Sequence, residues 1–389
     1  MSILAALQAK VDAVDSSTSM SEILKLMYTV KDHPYKSVYD SAGVMPLDSA
    51  SIGSIRYADN RNAMYMLVGI DSGWKLIDSD ASTEAAATFS IQGSSFGYSL
   101  GTGNGTNPAM TNEIHRYPYA SDANATDLAD MTAANQKNSG GASATHGYRH
   151  GGETSPGADL NTSDKFSYAA GTNSVALPNM LTTATTILGQ KEAVSNGSFN
   201  YVFGGLAPVP GYDNVIQKGS TVTDAAFTDV GDLIQNGGNH GSGTSDVAGY
   251  AATAQNANSN IIQKVPFAVD GNSTDVGDAG GGQGGGGSNS SSTHGYLYGG
   301  YIATPPYASN AIHKYSFASD GNSTAVPATL PAGRSETMAG TQSTTFGYFH
   351  NANAYSTVRK MPFASEDTIT DVGDIAPGLG TRFNASTQN

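Results

Sequence analysis

Nearly the same nine residues are written three times along this chain. They read ATHGYRHGG at 144–152, STHGYLYGG at 292–300 and, more loosely, TTFGYFHNA at 344–352. Six tyrosines carry the repeat: Tyr98, Tyr148, Tyr201, Tyr250, Tyr296 and Tyr348, at spacings of 50, 53, 49, 46 and 52. A second marker keeps time with the first. Arg116, Lys165, Lys218, Lys264, Lys314 and Lys360 follow at spacings of 49, 53, 46, 50 and 46. A fixed period of this kind means stacked or radial copies of one supersecondary unit.

Each unit has room for four strands. In the fifth, a strand begins near 287, then come GYLYGG, AIHKYSF and TAVPATL. ASDGN (318–322) separates the third strand from the fourth and reads as a tight turn, with Gly and Asn taking positive φ. The polar, variable text between the second and third strands reads as an exposed loop. Four strands in about fifty residues predict a propeller blade. The expected fold is all-β: a six-bladed propeller of four-stranded blades over 85–389. Its last residues, GTRFNASTQN (380–389), align with the first strand of a blade and are expected to pair with blade one and close the ring.

Ahead of the repeat lie two short zones. Residues 1–34 read as helical: Leu4, Leu7, Val11 and Val14 follow a 4,3,4 seam, and SMSE (19–22) is a capping box. Residues 35–84 read as a small β module. GSIRYA and AMYMLVG flank the turn DNRN, WKLID supplies a third strand, and Trp74 is its expected anchor.

Composition agrees with short strands and many turns. There are 47 Gly among 389 residues, well above the usual share of about 7%. The net charge of −14 comes with no basic patch, which argues against nucleic acid as partner. With no cysteine, disulfides, thiol catalysis and Cys-ligated zinc are excluded. No signal-peptide pattern and no run of about 18 apolar residues is seen, so membrane insertion is not expected.

Counting from each basic residue exposes a second pattern. At plus eleven stand Asp127, Ala176, Asp229, Asp275, Ala325 and Asp371; at plus fourteen stand Asp130, Asn179, Asp232, Asp278, Ala328 and Asp374. The same four units carry both aspartates. Plus twelve is always Leu or Val and reads as buried; the small residues or Pro at plus thirteen read as a bulge or strand end. The aspartates are expected to cap backbone amides or to pair with the basic residue across the hairpin. Asp-x-x-Asp supplying oxygens to Ca²⁺ is the competing reading, but two carboxylates per blade are too few without other donors. Recurrence in four units marks a structural device, so no metal, cofactor or catalytic residue is assigned. The histidines His115, His146, His240, His294 and His313 read as packed or rim side chains. The run DAGGGQGGGGSNSSS (278–292) reads as flexible, and it lacks the Gly-Lys-Ser/Thr ending of a phosphate loop.

Two resemblances add to this. GYRHGG, NYVFGG and GYLYGG, with doublets Gly151–Gly152, Gly204–Gly205 and Gly299–Gly300, resemble the second-strand ending of kelch repeats. Units one, four and six lack the doublet, and the kelch blade tryptophan is missing. The repeats also resemble those of structural proteins of marine bacteriophages. Gly53, Ile55, Tyr57, Tyr65, Gly73, Trp74 and Ile77 resemble small β modules near the N-termini of phage tail-fibre proteins. The resemblance implies a virion protein: a tail- or neck-associated fibre or appendage, anchored to other virion proteins by its N-terminal region. Its propeller would adhere to a host-surface glycan, and the fibre context implies a homo-oligomer, with a trimer expected. A pure assembly protein, a cellular interaction protein and a glycan-active enzyme are the alternatives. The chain is not expected to be an enzyme, because its carboxylates recur by blade instead of forming one cluster.

Overall fold

The computed structural model describes residues 89–388 apart from 103–109, 155–159, 182–190, 207–210, 239–240, 255–258, 281–285, 301–307, 335–338, 351–355 and 376–384, together with the backbone of three strands before them. The chain divides into two units, Met1–Ala86 and Ala87–Asn389. In the first, β1 (Ile55–Ala58), β2 (Ala63–Gly69) and β3 (Gly73–Leu76) form an antiparallel sheet in that order. The expected helix over 1–34 and the side chain of Trp74 lie outside the described residues.

The second unit is a six-bladed β-propeller of four-stranded antiparallel blades. Blade one holds β4 (Phe96–Thr102), β5 (Thr111–Pro118) and β6 (Thr126–Asp130). Blade two is β7 (Ser139–Ala142), β8 (His146–His150), β9 (Ser163–Ser167) and β10 (Val175–Leu177). Blade three is β11 (Glu192–Ser195), β12 (Phe199–Leu206), β13 (Tyr212–Ser220) and β14 (Thr228–Asp232). Blade four is β15 (Gly241–Thr244), β16 (Ala248–Ala254), β17 (Ser259–Pro266) and β18 (Thr274–Asp278). Blade five is β19 (Gly287–Ser290), β20 (His294–Tyr298), β21 (Ser309–Ser316) and β22 (Thr324–Arg334). Blade six is β23 (Gly340–Gln342), β24 (Phe346–His350), β25 (Thr357–Pro362) and β26 (Thr370–Asp374). The last strand, β27 (Ala385–Gln388), pairs with β4 as the innermost strand of blade one, so the ring closes as the sequence predicts. The inner strands touch in the cyclic order β7, β11, β15, β19, β23, β27 and surround a central channel.

The repeat tyrosines build the core between blades. All six are at most 2% exposed. Each points at the next blade, where five meet the ring three residues after that blade's basic marker. Tyr98 stacks on Tyr168, Tyr201 on Phe267, Tyr250 on Phe317, Tyr296 on Phe363 and Tyr348 on Tyr119, with centroids 4.5–5.0 Å apart. Offset pairs of this kind add about 0.5–1.5 kcal/mol each beyond area burial. At the sixth seam Thr221 replaces the ring, and the Tyr148 hydroxyl donates to its carbonyl at 3.3 Å.

The basic markers also reach across seams, which corrects the expectation that they pair within their own hairpin. Lys165 pairs with Asp224, Lys218 with Asp270 at 2.8 Å, Lys264 with Asp320 at 3.1 Å, Lys314 with Glu366 at 2.6 Å and Lys360 with Asp122 at 2.6 Å. Each acid lies six residues after the next blade's marker. Arg116 faces Gly171 there instead, and its guanidinium lies 4.5 Å over the Phe96 ring.

The paired aspartates belong to a second lock between blades. Asp229, Asp275 and Asp371 cap the amides of Gly231, Gly277 and Gly373 at 3.0–3.2 Å, as the capping expectation required. The outer strands β6, β14, β18 and β26 each carry a bulge at plus twelve, where Val or Leu is buried or half-buried. At plus fourteen the backbone does the work. The amides of Asp130, Asp232, Asp278 and Asp374 donate to the side chains of Asn173, Asn272, Asn322 and Asn124 on the next blade, at 2.9–3.2 Å. Their carbonyls accept from Ser174, Ser273, Ser323 and Ala125 at 2.8–2.9 Å. The two blades without the aspartates, two and five, face Ala226 and Thr368 where the others face Asn. Four seams therefore carry this lock and two do not, and the two without it lie diametrically opposite, dividing the ring into equal halves. In the ASDGN turn, positive φ falls on Asp320 and Gly321, one residue earlier than the sequence predicts.

Candidate functional site

Antiparallel four-stranded blades sort the connections by face. The turns from first to second and from third to fourth strand share one face with the seam locks. The second-to-third connections and the links between blades leave from the other. The positive-φ doublets Gly151–Gly152, Gly204–Gly205 and Gly299–Gly300 turn the second strands out at that second face. An L-residue at Gly152 would place a Cβ 2.8 Å from the Gln136 carbonyl.

Inner strands expose unpaired amides to the channel, an edge that must be satisfied. The neighbouring blade supplies the acceptors. Ser195 Oγ takes the Ala142 amide, Ser288 Oγ that of Ser242, and Ser290 Oγ that of Thr244, each at 2.9 Å. Thr387 Oγ1 donates to the Gly141 carbonyl at 2.8 Å. This explains the Gly/Ser run read as flexible: Gly287–Ser290 of that run is strand β19, and its small hydroxyls are the caps. Residues 281–285 of the run lie outside the described residues.

The turn-face end of the channel is closed by the chain's own approach to the propeller. Phe89 packs on Gly197 of blade three, where a Cβ would lie 2.5 Å from it. Four residues on, the Gly93 amide donates to the Gln342 carbonyl of blade six at 2.7 Å. Between them the Ile91 carbonyl accepts from Gln342 Nε2 at 2.6 Å and Gln388 Nε2 at 3.0 Å. Blades three and six are opposite, so Phe89–Gly93 straps the channel floor. What remains is a blind pit with about 710 Å³ of empty space, counted with the solvent at its mouth.

Glu192 is the one charged residue among the described pit-lining side chains. It begins β11, where the other inner strands place Ser139, Gly241, Gly287, Ala339 and Ala385. Desolvation raises its pKa to about 8, and the Ser242 hydroxyl across the seam only partly offsets this. Burial thus favours the protonated carboxyl, which donates as well as accepts. Beside it Lys191, 2% exposed, donates to the Gly204 carbonyl; burial lowers its pKa to about 8 against the raising effect of Asp213.

Blade two carries a denser polar knot at the same end. Lys137 sits at φ 58 and bonds buried Glu153 at 2.8 Å, which also accepts from Gln136 at 2.7 Å. Below it Arg149 and Asp164, each 1% exposed, pair at 2.7 Å. Arg149 also donates to the Gly151 and Thr162 carbonyls, and Asp164 accepts from the Thr132 amide and hydroxyl. This pair is fully enclosed and serves as structure.

The sequence reading assigned no site residue. Glu192 and Lys191 were detectable only as charges breaking a run of small residues. Phe89 carried no signal, because it stands before the first repeat. His115 is buried; His146 and His294 are half-buried and bond Thr145 and Thr293 at 2.8 Å, so these three read as packed; His240 lies outside the described residues. Among the described residues no group of three or more His, Cys, Asp or Glu is placed to hold a metal ion. Comparison with protein-family models and with curated proteins returns no match.

Proposed function

We propose that this chain is a bacteriophage structural protein: a tail- or neck-associated appendage whose propeller adheres to the host surface, with a glycan as receptor. The observation that carries the reading is the polarity of the ring. The chain comes in at the face of tight turns, where Phe89–Gly93 is clamped, and the connections of irregular length leave from the opposite face. A rigid closed scaffold with its variable connections on the face opposite the Phe89–Gly93 strap suits display. The phage-like repeat text and the tail-fibre-like text of 53–77 support the virion setting, and the glycine doublets support a kelch-like kinship. On this reading the N-terminal region anchors to other virion proteins and the assembly is a homotrimer. The protein is not an enzyme on this reading, since its aspartates recur by blade and Glu192 has no second acid beside it among the described pit-lining residues.

Mass spectrometry of purified virions tests the setting, and binding of the full-length protein to host cells tests the adhesion. Absence from virions, or no binding to host cells with intact surface glycan, refutes the reading. Turnover of host glycan by the purified protein would favour the enzyme instead.

A further inference from the structure

The pit combines three features. Its floor presents an aromatic ring, Phe89, with Ile91 beside it. Its walls present the hydroxyls of Ser242, Thr244, Ser288 and Ser290. A hydroxyl that accepts from a backbone amide still carries a proton to donate. Its upper wall presents Glu192 on blade three, with Asn138 and Ser139 on the adjacent blade two. Asn138 is held by donating to the Leu100 carbonyl at 3.2 Å and to Asn135 Oδ1.

From this geometry we infer that the channel pit is a binding subsite for one uncharged sugar residue, entering from the loop-bearing face with its C–H surface toward Phe89 and its hydroxyls toward Glu192, Asn138 and the serines. The inference rests on the adhesion reading for its biological ligand but not for its chemistry. An apolar ring on the floor with hydroxyl donors and acceptors around it matches a pyranose, which has one C–H face and a rim of hydroxyls. An anion is disfavoured, because the lining holds no cation among the described residues and the protein carries a net charge of −14. The strap makes the pit blind, so it takes the end of a glycan and does not let a chain thread through.

The test uses the full-length protein with methyl glycosides of glucose, galactose and N-acetylglucosamine as probes, and acetate as an anionic control, followed by titration calorimetry and ligand-observed NMR. At least one glycoside binds and acetate does not. Glu192→Ala and Phe89→Ala each weaken that binding about tenfold or more, while Glu192→Gln, which keeps a neutral donor and acceptor, stays within about threefold. Thermal midpoints identify any variant that has lost its fold; should Phe89→Ala do so, Phe89→Leu, which keeps the floor apolar but removes the ring, replaces it. The inference is overturned if no glycoside binds at millimolar concentration, if acetate binds in its place, or if binding ignores both positions. Host-cell binding separates the two claims. Wild type and Glu192→Ala adhering equally overturns the pit and leaves adhesion standing. Glycoside binding lost in the variants without any host-cell adhesion sustains the pit and removes the adhesion reading.

Discussion

Replacing Gly277 by alanine strikes the seam between blades four and five where backbone meets backbone. Gly277 lies at φ 150, and a Cβ there would stand 2.3 Å from the Gly321 carbonyl carbon and 2.4 Å from its oxygen. Both contacts are backbone, so no side chain can swing away. The backbone strain and the overpacking together cost about 2–4 kcal/mol, and the thermal midpoint falls by roughly 4–8 °C. The neighbouring blade can only move outward, which takes the Asp278 amide out of reach of Asn322, now 2.9 Å away. Asn322→Ala alone removes that bond and costs about 0.5–1.5 kcal/mol. The double variant should therefore be no less stable than Gly277→Ala alone, a coupling of about 0.5–1.5 kcal/mol. Gly271→Ala is the control: nothing lies within 4 Å of its added Cβ, and the change is within about 0.5 kcal/mol. Differential scanning calorimetry on the four proteins decides it. Additive losses, or a Gly277→Ala midpoint matching that of Gly271→Ala, would refute the interlocking of the two turns.

Asp164→Ala leaves the Arg149 guanidinium buried without its carboxylate and should cost about 3–5 kcal/mol in denaturant melts, whereas Arg149→Val with Asp164→Gln, the pair blade three uses at Val202 and Gln217, should restore most of it. His150 and His350 are enclosed and held neutral by burial, with pKa values lowered to about 3; their contribution is complete above the unfolded pKa of about 6.5 and is lost as pH falls toward 3, at up to about 1.4 kcal/mol per pH unit for each. Melts from pH 7 to 4 should show that slope, and His350→Phe should reduce it by about half if both matter equally. Glu192 has the opposite sign: raised to about 8, it binds a proton that the unfolded chain has released, so its contribution is lost as pH rises from about 4.5 to 8, and Glu192→Gln should flatten that limb. Truncation after residue 384 removes β27, unpairs β4 and strips Tyr168 of its bonds to Thr387 and Gln388; size-exclusion chromatography should show self-association through the open edge, reversed by a synthetic 380–389 peptide.

Much of the ring was legible in the text. Two markers at one period fixed the blade count, and the resemblance of 380–389 to an inner strand foretold closure, because each blade must repeat the same local hydrogen-bonding pattern. The small residues or Pro at plus thirteen pointed to a bulge or strand end, and the bulges of β6, β14, β18 and β26 stand one residue earlier, since a backbone conformation is a local property. What the text could not reveal was the partner of each repeated side chain. The lysines, aspartates and tyrosines recur within a unit but act on the next, and the link shows only when the asparagines of blades one, two, four and five are set against the aspartates of the blades before them. Nor could it reveal the pit. Glu192 and Phe89 lie far apart in sequence, with Phe89 ahead of the first repeat, and they share one cavity only because six blades close around an axis and the incoming chain crosses its end. Local periodicity specifies the repeating element; the channel and its floor exist only once the ring is shut.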